Sequence, residues 1–251
     1  MSHISVEDLS VKFRSYNRLS SLKERFAEVF RSRGNPKPSP DFWALQNVSL
    51  EIRAGDRVGI VGHNGAGKST FLKAICRIYE PSKGRLRVEG SLAPLLEIGA
   101  GFHPEFTGRE NIYLNGAILG YSHKQLREIE PEVIGFAELD DFIDMPVKYF
   151  STGMYLRLAF ALATAVQPDI LILDEMFAGG DASFVERATN RMKQMIDRAN
   201  IMVLVSHDTN LLANFCNRVV WLDHGRVKQD GPTEQVLSAY LNKPVHKLRA
   251  A

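Results

Sequence analysis

The segment Gly62-His63-Asn64-Gly65-Ala66-Gly67-Lys68-Ser69-Thr70 constrains this chain more than any other feature of its sequence. It fits the pattern G-x-x-x-x-G-K-[ST], set between a short apolar run, Val58-Gly59-Ile60-Val61, and a helical signal that starts at Lys68 and stops before Pro81. A strand that enters a glycine-rich turn and leaves as a helix gathers backbone N–H groups and the positive end of a helix dipole at one place. The glycines let those N–H groups converge on phosphate oxygens. Lys68 is expected to reach the β- and γ-phosphates, and the Ser69 hydroxyl to ligate Mg²⁺. A chance match arises on the order of once per hundred chains of this length, and the flanking strand and helix make it rarer. The segment predicts nucleotide binding.

The rest of the chain alternates strand and helix, the pattern of a parallel sheet. Strand character runs from Ile4 through Phe13, returns at Ala44–Ile52, and recurs in short pieces over residues 85–98. Residues from about 105 to 167 read as mostly helical. Two apolar strands follow, Ile170–Leu173 and Ile201–Val205, then a hairpin turning at Asp223-His224-Gly225 and a short helix near Thr233–Leu241. The first apolar strand ends in Asp174-Glu175. A carboxylate at the end of a strand beside the phosphate-loop strand is where a hydrated Mg²⁺ needs negative charge, which predicts Asp174 as a metal residue. Glu175, next in line, is placed to polarise an attacking water. The second strand runs into Ser206-His207-Asp208, on the side of the sheet where phosphates are expected, so His207 is a candidate γ-phosphate contact.

Composition excludes several classes. At 45% hydrophobic and 24% charged over 251 residues, the chain is neither disordered nor fibrous. Two cysteines, Cys76 and Cys216, make no disulfide framework and suggest a reducing compartment. No apolar run approaches the ~20 residues needed to span a bilayer, and the acidic pair Glu7-Asp8 argues against a signal peptide. The net charge of +2 conceals a division: residues 11–39 carry +6, leaving −4 for the remainder. Within that stretch, Ser21 and Glu24 have capping-box spacing, and Leu22, Phe26, Val29 and Phe30 share a helical face before Gly34, Pro36, Pro38 and Pro40 end it. So confined a patch favours one anionic surface, such as a lipid headgroup layer, over general nucleic-acid binding.

Together with Tyr149-Phe150-Ser151-Thr152-Gly153-Met154, these motifs resemble, in order and over residues 4–241, the ATP-binding subunits of ABC transporters. The resemblance implies a P-loop NTPase core with a mostly parallel sheet, an antiparallel β subdomain, and a helical subdomain at about 100–167. Domain bounds of 1–241, with an amphipathic insertion at 17–40 and a basic tail at 242–251, follow from it. Phe150–Met154 matches the five-residue signature usually written L-S-G-G-Q: Ser151 and Gly153 keep the pattern, whereas Phe150, Thr152 and Met154 depart from it. In the family this segment caps the γ-phosphate held by the other subunit, which implies a head-to-tail homodimer around two ATP molecules. Asp181 matches the D-loop aspartate and His207 the switch histidine. The family's Q-loop glutamine has no counterpart, since no Gln lies between Gln46 and Gln125; Glu97 is the nearest polar candidate for its Mg²⁺ contact. For adenine, Phe13 fits best by register, with Tyr16 and Trp43 as alternatives.

Residues Leu96–Ile112, Tyr149–Met154, Asp174–Asp181 and the insertion before Phe42 resemble bacterial polysaccharide exporters. That resemblance implies a peripheral subunit on the cytoplasmic face of the inner membrane, paired with two copies of a polytopic permease and moving a lipid-linked polysaccharide. It implies no nucleic-acid partner. Some members carry a further carbohydrate-binding domain; with about ten residues after Leu241, none is expected here. The competing readings are an exporter of another lipid or drug, and a soluble ABC ATPase acting on ribosomes or DNA.

Overall fold

The structure, a computed structural model, describes residues 2–13, 41–95, 99–174 and 182–242. The helix expected within 17–40, the residues Glu97, Glu175 and Asp181, and the tail from 243 onward lie outside the described residues.

Two sheets pack face to face. The first is antiparallel, in the order β2-β1-β4, from β1 (His3–Phe13), β2 (Phe42–Arg53) and β4 (Lys83–Glu89). Its core positions switch parity part-way: Ile4 and Val6 face inward, then Leu9 and Val11. An extra residue must intervene, and Asp8 is that residue, with φ 48° and a shift in pairing register around it. Asn47, with φ 50°, does the same for Leu45 and Val48 on β2, where its N–H donates to Ser10 Oγ at 2.9 Å. Alternating hydrophobicity made both stretches read as plain strands; the bulges are what let both strands stay in one core.

The second sheet has the order β5-β6-β7-β3-β8-β9, adding β3 (Arg57–Val61), β5 (Leu92–Leu95), β6 (Ile170–Asp174), β7 (Ile201–Val205), β8 (Arg218–Asp223) and β9 (Arg226–Pro232). All neighbours are parallel except β8 and β9. Ile170, Ile172, Ile201, Val203, Val58 and Ile60 fill the core toward the antiparallel sheet. Leu171, Leu173, Met202, Leu204 and Val219 fill the opposite core, under α6 (Thr209–Phe215) and α7 (Thr233–Leu241). Burial on both faces explains why β3, β6 and β7 are continuous apolar runs instead of alternating ones. Each such Ile, Leu or Val stabilises the fold by about 1.5–3 kcal/mol.

One expectation is corrected. The strand ending in Asp174 is not beside the phosphate-loop strand: β7 lies between β6 and β3 and pairs in parallel with both. The chain leaves β6, runs through α5 (Ala182–Arg198), and returns one strand closer to β3. Nothing local in the sequence encodes that order.

Helix α1 (Lys68–Ile75) packs Phe71, Leu72 and Ile75 into the first core. Helices α2 (Gly108–Ile118), α3 (His123–Ala137) and α4 (Thr152–Ala163) enclose a separate core of Ile112, Val133, Leu139, Ile143 and Leu158. Capping boxes Thr107/Glu110 and Ser122/Gln125 start α2 and α3.

Candidate functional site

Strands β3, β7 and β6 run parallel, so their carboxyl ends share one edge of the sheet, and the glycine loop, Asp174 and His207 are anchored there. The loop from Gly62 to Gly67 rises from β3. Gly67 caps α1 in the left-handed region at φ 103°, and a Cβ on it would lie 2.6 Å from the Ala44 carbonyl oxygen. A Cβ on Gly62 would collide with the Leu222 carbonyl oxygen. Gly65, at φ 80°, has open space where its Cβ would be; its conformation, not crowding, calls for glycine. Two of the three glycines therefore answer to the chain's own backbone packing as well as to a ligand.

Lys68 is buried at 8% exposure, and its Nζ donates to the carbonyls of Gly62 (2.8 Å) and His63 (3.1 Å). An ammonium so held faces the loop's interior rather than solvent. The next residue, Ser69, is exposed and Thr70 half-buried, while Asn64 and Gly65 form the exposed tip. Ala66 is fully buried; its N–H donates to the His63 carbonyl (3.0 Å) and its own carbonyl accepts from Gly225 N–H (3.0 Å). Gly225 in turn accepts from Gln46 N–H at 2.8 Å, and a Cβ on it would lie 2.6 Å from the Ala44 oxygen. Gly225 is thus a structural support of the phosphate loop. The hairpin turn itself is legible in the sequence, but no local signal ties it to residues so distant.

Asp174 closes β6, half-buried and opposite Val205 of β7. Two residues past Val205, His207 is exposed in a bend that both neighbours hold. Buried Ser206 accepts Asp208 N–H on its Oγ (3.0 Å), and Asp208 caps α6 by accepting the N–H groups of Asn210 (2.8 Å) and Leu211 (3.4 Å). The structure thus brings the loop, Asp174 and His207 to one edge, through β7.

The ABC transporter family model matches residues 45–178. The chain belongs to the ABC transporter family. It is 41% identical to the O-antigen export system ATP-binding protein RfbE of Yersinia enterocolitica, over 92% of this chain and 98% of that protein. It is 40% identical to RfbB of Myxococcus xanthus over 96% of this chain, and 38% identical to the teichoic acids export ATP-binding protein TagH of Lactococcus lactis over 94%. It spans 56% and 50% of the lengths of those two proteins. Among solved structures it is similar to a dimeric, post-hydrolysis ATP-binding cassette, MJ0796 bound to ADP and Pi, with TM-score 0.65 and 21% identity over 92% of this chain and 98% of that one. As an ABC cassette, the chain has a fold that binds ATP.

The segment that resembles the family signature opens α4. Ser151 is the N-cap, exposed, its Oγ accepting Met154 N–H at 3.2 Å. At Gly153 a Cβ would meet Ser151 Oγ at 3.9 Å and nothing closer, so nothing among the described residues requires glycine there. An exposed helix start with a bare second residue suits close approach by something outside the chain. We therefore expect Gly153→Ala to keep or slightly raise the melting temperature, because alanine is the better helix former. The same variant should lower ATP turnover at least tenfold. Thermal denaturation beside a phosphate-release assay checks this, and unchanged turnover would remove Gly153 from the site.

Phe13 is half-buried at the end of β1, edge-on to Tyr79 with ring centroids 5.2 Å apart. Trp43 already has two ammonium groups near its ring, from Lys12 (5.6 Å) and Lys83 (5.4 Å). Tyr16 lies outside the described residues.

A contact that sequence reasoning missed lies beside the loop. His63 Nε2 is 3.1 Å from Asp223 Oδ1, and His224 Nδ1 is 2.9 Å from the same oxygen. Lys228 Nζ stands 3.6 Å from Asp223 Oδ2. Burial raises the Asp223 carboxyl, but His224, Lys228 and His63 outweigh it and hold the group below the usual carboxylate range.

Proposed function

We propose that this chain is the ATP-hydrolysing subunit of a bacterial system that exports a lipid-linked polysaccharide, of O-antigen, capsule or teichoic-acid type. The observation that carries the proposal is the 41% identity to an O-antigen export ATP-binding protein over nearly the whole of both chains. In this reading Mg²⁺ is held by Ser69 and Asp174, with Glu97 in place of the Q-loop glutamine. An exposed hydroxyl and a half-buried carboxylate at the sheet edge are the hard oxygen donors that Mg²⁺ takes. When bound, the ion would neutralise charge on the phosphates. Glu175 activates the water, His207 contacts the γ-phosphate, Asp181 serves the D-loop, and Phe13 stacks on adenine. Ser151 and Gly153 complete the site of a second copy, giving a head-to-tail homodimer.

No helix among the described residues is long and apolar enough to cross a membrane. In this reading the transport pathway is a polytopic membrane subunit, expected in two copies. Its contact is the apolar groove between sheet and helices lined by Ile78, Pro94, Phe102, Ile118 and Leu119; Ile78 and Ile118 are 57% and 65% exposed at its lip. Association through such a subunit puts the chain peripherally at the inner membrane. The +6 charge of residues 11–39 supports an orientation toward anionic lipid.

The test is co-purification from detergent-solubilised membranes, paired with complementation of a strain that lacks its polysaccharide-export ATPase. Recovery of a polytopic permease and of surface polysaccharide is expected. Co-sedimentation with ribosomes or DNA, without a membrane partner, would overturn the reading.

A further inference from the structure

The groups at the seam between the phosphate loop and the β8–β9 hairpin form a second chemical site. The ligating atoms of His63, Asp223 and His224 lie within 4.8 Å of one another, and the two imidazole rings stand 4.7 Å apart at 57°. His63 is informative because both of its ring nitrogens face acceptors. Nδ1 is 2.7 Å from the Asn64 carbonyl oxygen, and Nε2 is 3.1 Å from Asp223 Oδ1. A neutral ring carries one N–H. If Nδ1 donates to Asn64, Nε2 turns a lone pair toward a carboxylate oxygen, and two acceptors at that distance need a cation between them. His224 turns its own Nδ1 toward the same oxygen.

We propose that His63, Asp223 and His224 form a binding site for a divalent transition-metal ion of the Zn²⁺ type, separate from the Mg²⁺ of the nucleotide. Two imidazole nitrogens and one carboxylate suit Zn²⁺, which binds nitrogen at about 2.0–2.1 Å and oxygen at about 2.0–2.2 Å; Mg²⁺ prefers an all-oxygen shell. Bonds of that length place tetrahedral donor atoms roughly 3.3 Å apart; the N···O separations of 2.9 and 3.1 Å are close to that, and the two imidazole nitrogens, within 4.8 Å of each other, would be brought in by rotation of the exposed His224 ring. The Asn64 carbonyl is the outer partner that fixes the tautomer of a metal-binding histidine.

The frame is built before any ion arrives. The left-handed residues His224 (φ 47°) and Gly225 (φ 77°) make a tight hairpin turn, and the Gly225–Ala66 hydrogen bond pins it to the loop bearing His63. A further charged neighbour among the described residues is Lys228, whose Nζ lies 3.6 Å from Asp223 Oδ2 and 3.9 Å from the centre of the Trp221 ring. It occupies the far carboxylate oxygen, leaving Oδ1 to bind as a single ligand. His63 is 46% and His224 82% exposed, so the fourth position is open to water and the ion exchanges freely. The ion would couple the loop to the hairpin next to the His63 carbonyl that Lys68 Nζ engages.

Nucleotide-free protein is titrated with Zn²⁺ by calorimetry and with Co²⁺ by visible absorption. One saturable equivalent is expected, with the intense visible bands of four-coordinate Co²⁺. His224→Ala and Asp223→Asn should each weaken that equivalent at least tenfold. Lys228→Ala, which removes a competing cation from an exposed strand position, should tighten it severalfold and still decides the matter if either ligand variant fails to fold. No saturable equivalent, or equal affinity in wild type, His224→Ala and Lys228→Ala, would overturn the proposal.

Discussion

Lys68→Ala is expected to cost this cassette most of its affinity for ATP. The ammonium is nearly enclosed and already oriented by two carbonyls, so it meets the phosphates without first having to be ordered. A charge-assisted hydrogen bond in such a setting contributes about 1.5–3 kcal/mol, which corresponds to a fall in affinity of roughly ten- to a hundredfold. ADP, with one phosphate fewer for Lys68 to meet, should lose less than ATP. Fluorescent-nucleotide titration checks both. The fold itself should survive, because the core side chains of α1 are Phe71, Leu72 and Ile75. Undiminished ATP binding would mean that the loop's N–H groups hold the phosphates without Lys68.

Glu175→Gln separates binding from chemistry. An amide of the same shape leaves ground-state contacts in place but cannot take a proton from water. A general base contributes about 10²–10⁴-fold to rate, so turnover should fall by at least a hundredfold while ATP affinity stays within a few fold. With hydrolysis stopped, the two-fold ATP-bound dimer should accumulate, and sedimentation should show dimer with ATP and monomer without it. Wild-type turnover in the variant would reassign the base. Identical sedimentation with and without ATP would argue against an ATP-dependent dimer.

The parts of this protein that local physics determines are readable from its sequence. Lys68 follows an apolar strand and starts a helix, and that neighbourhood alone implies the loop. Ile170–Leu173 and Ile201–Val205 are apolar on every residue because both of their faces are covered, which marks them as interior parallel strands. Strand order is a different kind of fact. Asp174 was placed one strand too near to β3 because the choice between neighbouring slots depends on how α5 crosses the sheet, not on the residues of β6. The bulges at Asp8 and Asn47 left a trace in the shifted parity of Ile4, Val6, Leu9 and Val11, but the trace is interpretable only once β1 and β2 are paired. The meeting of His63 with Asp223 left none, since their spacing of 160 residues follows no local period. The segment starting at Ser151 is visible through its resemblance; that no described residue crowds Gly153 is a fact of the folded chain.

The Ala66–Gly225–Gln46 chain of backbone hydrogen bonds also bears on how this protein is made. A ribosome delivers residues 62–67 early, yet the carbonyl that crowds Gly62 and the amide that donates to the Ala66 carbonyl belong to residues 222 and 225. Closing so long a loop is entropically slow. Until the β8–β9 hairpin emerges, the nascent phosphate loop lacks the backbone contacts that Leu222 and Gly225 make with it.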